Sequence, residues 1–165
     1  MTDLAPHHSA ATPERATESH YGRLLAMVLL SFAAMYLLMY SMVDTIENVV
    51  PNFNQLYMAG LMTAAMVVLE LLLMWKMYGN RKANAAILAA GGLALVAFFS
   101  LIRQQAAISD RQLLKSMIPH HASAILMCER ADLHDPEISE LCSSIISSQQ
   151  LEIEQMKAKL QELRR

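Results

Sequence analysis

The chain has 165 residues, 55 % of them hydrophobic and 17 % charged, with a mean hydropathy of +0.29. That balance excludes an ordinary soluble domain and fits a membrane protein with a polar appendage. A net charge of −2 without a basic stripe argues against nucleic acid as a partner, and two cysteines are too few for a disulfide scaffold.

Residues 1–23 mix Pro6, Pro13, small polar residues and both signs of charge without a helical apolar period, and are expected to form a disordered cytoplasmic tail. His7, His8 and His20 lie in it and read as incidental. Residues 24–102 read as a three-span membrane region. Leu24–Val43 is an uncharged apolar run long enough for a hydrocarbon core of about 30 Å. It is long for a signal peptide and no small-residue cleavage pattern follows it. Leu56–Tyr78, interrupted by Glu70, and Ala85–Ile102 are the second and third runs. Within lipid only helices satisfy their own backbone, so all three are expected to be helical.

Lys and Arg placement sets an expected orientation. Arg15 and Arg23 in the tail and Arg81 and Lys82 after the second run stand against a first connection, Asp44–Gln55, with neither residue. The tail is then cytoplasmic and residues 103–165 are extracytoplasmic, although Arg103, Arg111 and Lys115 weaken the contrast. Glu70 has two readings, a functional carboxylate within a span or an interfacial packing residue near Lys76. Gly91-Gly92 would let helices approach closely.

Beyond the third run, Ser109-Asp110 offers a helix start, and Pro119 is expected to end or kink that helix. A turn follows at His134–Glu137, with Asp135 as N-cap and Pro136 at the first helical position. Ile138, Leu141, Cys142, Ile145, Gln149, Glu152, Met156, Leu160 and Leu163 then recur at three- and four-residue steps along one amphipathic helix. The expected fold is all-α, three transmembrane helices followed by an extramembrane helical hairpin.

The chemistry concentrates in Met117–Cys128, which holds two histidines, two methionines and a cysteine. Most other methionines lie in the apolar runs and read as filler. Met117 shares a helix face with His120 and His121. Equal distances from the turn set Cys128 across from Cys142, the histidines across from Gln149, and Glu152 at the level of Met117. Imidazole with thioether suits copper, Cu(I) above all, whereas imidazole with carboxylate suits Zn(II), Cu(II) or Fe. Glu152, on the apolar seam, would be a ligand or would orient an imidazole N–H. The candidate metal ligands are Met117, His120, His121, Met127, Glu152 and Met156, with Gln149, Cys128 and Cys142 weaker. In the plainer reading the methionines are core and the histidines structural. The cysteines either form a disulfide clasping the turn or remain reduced, as thiolate ligands or small apolar groups.

Met-Ile-Pro-His-His-x-x-Ala-x-x-Met at Met117–Met127, Asp-Pro-Glu-Ile at Asp135–Ile138 and Ile-Ile-x-x-Gln-x-x-Glu-Ile-x-x-Met at Ile145–Met156 resemble the DUF305 family over about residues 109–163. The resemblance implies a ferritin-like helical bundle, export or membrane anchoring in bacteria, and an association with copper. Ala122-Ser123, where many relatives carry Gln followed by Gly, reads as surface variation. Family domains commonly hold two hairpins and this chain has one, half of a four-helix bundle. Two chains are therefore expected to pair their hairpins in a homodimer, the alternative being packing on an extension of the third span.

The functional expectation is a bacterial inner-membrane protein whose extracytoplasmic hairpin sequesters or handles a copper ion, with a metal-donor or metal-acceptor protein as a possible partner and no catalytic turnover. The alternative is a metal-free structural or oligomerisation module. A di-metal oxidase would need Glu-x-x-His motifs, and the sequence has none.

Overall fold

The computed structural model describes residues 13–163, with side chains from residue 20. Five α-helices follow one another: α1 Pro13–Leu38, α2 Phe53–Leu73, α3 Arg81–Gln104, α4 Asp110–Arg130 and α5 Pro136–Glu162. Short 3₁₀ turns at Met39–Met42 and Ile46–Asn48 carry the chain from α1 to α2. No strand occurs among the described residues.

Three stretches, His20–Met42, Phe53–Leu73 and Arg81–Gln104, are long and apolar enough to cross a membrane. They leave large apolar side chains bare, Leu30 at 71 % and Leu93 at 72 %, as expected of a lipid-facing surface. The first helix starts at Pro13, within the segment expected to be tail, while His7 and His8 lie outside the described residues. The side-chain oxygen of Asn52 caps α2 by accepting from Gln55 N, and that of Asn80 caps α3 by accepting from Lys82 N and Ala83 N.

The middle one of these three apolar helices is α2, packed against both α1 and α3. A Cβ at Gly60 would meet the Phe98 ring at 2.5 Å, and one at Gly91 would meet Val68 at 2.9 Å. Gly92 has open space around it, so of the Gly91-Gly92 pair only Gly91 is a close-approach residue. At one end of this three-helix layer Leu24, Leu71 and Tyr78 are buried together. Fully buried Asn84 accepts from the Tyr21 hydroxyl at 2.6 Å and donates to the Tyr78 carbonyl at 3.0 Å. The Tyr78 hydroxyl, beyond the end of α2, is pushed above its ordinary value by burial and then by the Glu70 carboxylate, which puts Glu70 at the packed end of the layer.

At the opposite end, α3 terminates with Gln105 at φ 49°, and Ala107 at φ 57° completes the turn into α4. The Tyr57 hydroxyl donates to the Ala106 carbonyl at 2.9 Å and holds that turn to α2. Helices α4 and α5 form the expected hairpin. Asp135 caps α5 by accepting from Glu137 N and Ile138 N, with Pro136 following. Ser109 precedes α4 but its side chain makes no capping bond.

Three expectations are corrected here. Pro119 does not end α4, which runs unbroken to Arg130. Pro119 is itself buried beside Ile118 and Ala122, and that packing outweighs the missing N–H. Ala122 is fully buried, so its place is core and not surface variation. The hairpin packs neither on an extension of α3 nor as a free pair. Val43 and Val50 of the first connection cover its core of Ile118, Ala122, Ile125 and Ile153. The first connection and the hairpin therefore share one side of the three-helix layer.

Candidate metal centre

Adjacent residues on a helix point about 100° apart, so His120 and His121 must diverge, and their ring centroids stand 6.0 Å apart. His121 follows Ile118 by three residues and turns toward α5, where it is 8 % exposed. His120 is exposed and faces the ends of the membrane helices.

The seam of α5 agrees with the predicted one at Met156 and Leu160 and departs from it at Ile146 and Ile153, which turn inward where Ile145 and Glu152 were expected. Its inward positions are Ile146, Ile153, Met156 and Leu160. Ile138, Leu141 and Leu163 are exposed. Glu152 therefore flanks the seam with a side chain 49 % exposed, and its Oε2 reaches to 3.2 Å from His121 Nδ1. This nitrogen is buried, and although the carboxylate is close the approach lacks hydrogen-bond geometry, leaving Nδ1 without a hydrogen-bond partner. Burial holds the imidazole below the ordinary histidine value of 6.5; Glu152 opposes that shift and His120 adds to it. A neutral imidazole with a free ring nitrogen is the form that binds a metal.

The remaining predicted ligands separate. Met156 is half-buried in the hairpin core. Gln149 is half-buried on α5. Met127 is 53 % exposed and lies outside the core cluster. Met117 and His120 line a different cavity, discussed below. Cys128 and Cys142 form a disulfide with Cα atoms 5.3 Å apart, which removes both from the list of thiolate ligands. Among the described residues no three His, Cys, Asp or Glu side chains cluster as a metal site, so thioethers would have to complete any coordination. His20 stacks edge-on with Tyr78, and exposed His134 pairs loosely with Asp132, both far from these groups in the fold.

The model of the family described as "Domain of unknown function (DUF305)" matches residues 79–160. An uncharacterised protein of Acanthamoeba polyphaga mimivirus is 36 % identical over 142 residues, covering 84 % of this chain and 91 % of that protein. This chain belongs to the DUF305 family. The DUF305 region begins just before Asn80 caps α3, so it takes in the third apolar helix as well as the hairpin. The likeness to the viral protein extends further, since 84 % of the chain necessarily reaches into the first two apolar helices. No solved structure matches the chain.

What sequence reasoning missed is the pair Met39 and Met58, which share the cavity of Met117 and His120. Each sits in an apolar run and carries no signal of its own. Only the packing of the hairpin on the first connection distinguishes them from the other methionines.

Proposed function

We propose that the chain is a membrane-anchored copper-binding protein, displaying its hairpin on the extracytoplasmic face of a bacterial inner membrane to sequester or pass on the ion without turnover. The observation that carries this reading is the orphaned Nδ1 of His121 beside Glu152. Leaving a buried polar atom unpaired costs about 1–3 kcal/mol, so the arrangement favours a cation between the two groups. Two ligand atoms, each about 2.1 Å from one ion, stand about 3.0–3.4 Å apart at ordinary coordination angles. The observed 3.2 Å fits that spacing, and the approach lacks the geometry of a hydrogen bond. His121 and Glu152 would hold the ion, with Met156 the nearest thioether on the seam. Bound there, copper would neutralise the carboxylate and satisfy the imidazole. The apposed cysteines support an oxidising compartment.

The test uses the full chain in mild detergent, with Cu(I) titrated against a competing chelator and Cu(II) followed by electron paramagnetic resonance. His121→Ala and Glu152→Gln are each expected to weaken binding roughly 10- to 100-fold in at least one oxidation state. Met127→Leu is expected to leave it unchanged. Equal affinities in all four proteins would instead make His121 and Glu152 an edge-of-core pair in a structural module.

A further inference from the structure

A cavity of about 250 Å³ separates α4 from the ends of the first two apolar helices. Met117 and His120 line it from α4, Met58 from α2, and Met39 from the turn after α1. Its two asparagine side chains are already committed. Asn52 caps α2 through its oxygen and donates to the Val50 carbonyl and to Gln55 Oε1, at 3.0 and 3.1 Å. Asn54 donates to Gln105 Oε1 and to Ser116 Oγ, at 3.0 and 3.2 Å. Among the described residues, three thioethers and one imidazole are left with uncommitted lone pairs, and no Asp, Glu, Lys or Arg lines the space.

Neutral sulfur donors bind hard divalent ions poorly and soft monovalent ions well. A site without a carboxylate adds no negative charge to balance a second positive charge, which further favours a monovalent ion. We propose that Met39, Met58, Met117 and His120 form a second metal site, selective for a soft monovalent cation such as Cu(I) or Ag(I), to which the membrane region contributes half the ligands. The site is distinct from the pair of His121 and Glu152, because His121 turns about 100° away from His120 around α4, toward α5. It also gives the first two spans a task beyond anchoring, since they carry the thioethers that α4 lacks.

The test is methionine oxidation mapped by mass spectrometry on the full chain in detergent, with and without Ag(I). Silver is expected to protect Met39, Met58 and Met117 from sulfoxide formation and to leave exposed Met42 and Met127 reactive. Uniform protection of all five, or protection of none, overturns the proposal. Met39→Leu/Met58→Leu, a swap of similar volume, is expected to abolish protection of Met117 while the helical circular-dichroism signal stays intact. Because a misfolded variant would also lose protection, the wild-type map decides if that signal changes. His121→Ala/Glu152→Gln is expected to retain protection at all three methionines. Loss in this variant as well would mean one site centred on the hairpin, and the two-site reading fails. Retention there, with copper affinity unchanged in the preceding titration, would sink the His121–Glu152 reading alone.

Discussion

His121 combines three properties seldom found in a surface-helix histidine: burial, an unpaired ring nitrogen and a carboxylate within 3.2 Å. Its depressed proton affinity has a consequence for the metal-free protein. As pH falls below about 6.5, the unfolded chain takes up a proton that the folded imidazole resists, so stability is fully present above that value and declines below it. Glu152 from α5 opposes the effect and His120 from α4 reinforces it. Thermal unfolding in detergent with chelator present, at about pH 7.5 and about pH 5.5, is expected to show a drop that His121→Gln reduces and Glu152→Gln enlarges. Identical drops in the wild type and His121→Gln would show that the imidazole is not held neutral by the fold. The residues of this pair were legible in the sequence as a motif. Glu152 as the partner of an imidazole was legible too; which of the two adjacent histidines it meets was not, because the direction in which each points depends on which helix face the hairpin buries.

At the scale of elements, the hairpin is set by three local devices: the Asp135 cap, Pro136 at the first helical position, and the Cys128–Cys142 disulfide. With a sequence separation of 14 between the cysteines, the closed loop contributes about 3 kcal/mol by restricting the unfolded chain. Cys128→Ser/Cys142→Ser is expected to lower hairpin stability by about that amount, read as faster amide hydrogen exchange in α5 with exchange in α2 unchanged. Equal exchange in both proteins would show that core packing alone sets the hairpin's stability. The boundaries of α2, α3 and α5 were close to legible, because caps and apolar runs are local signals, whereas α1 starts at Pro13, eleven residues before its apolar run at Leu24. The α5 seam was not legible. Ile145 and Ile146 stand side by side, as do Glu152 and Ile153, so the apolar period fits two registers one residue apart. Cys142, Met156 and Leu160 fit both, and the disulfide and the α4 core select Ile146 and Ile153 between them. Pro119 failed as a stop signal for a related reason, since tertiary burial overrides a local preference worth about 3 kcal/mol.

For the whole molecule, the deciding feature is that the hairpin rests on the first connection through Val43 and Val50. Under the proposed function, the Lys and Arg distribution would put that shared side outside the cytoplasm. Reporters active only inside or only outside the cytoplasm, inserted in residues 43–52, in residues 74–80 and after α5, provide the check. The first and last positions are expected to report outside and the middle one inside, and the reverse pattern would place the hairpin in the cytoplasm. Sequence alone could separate the three apolar runs from the polar hairpin. It could not dock one onto the other, because the contact is made by a few scattered residues with no shared periodicity.

The turn at residues 131–135 is exposed, with only Leu133 half-shielded. Cutting a helical hairpin at its tip would ordinarily release the distal helix. Here Cys128 and Cys142 bracket the tip, so a protease that cuts there leaves α5 covalently joined to α4 and Glu152 still beside His121. The nicked protein comes apart only when a reductant reaches it, so exposure to protease by itself does not separate the two halves of the pair.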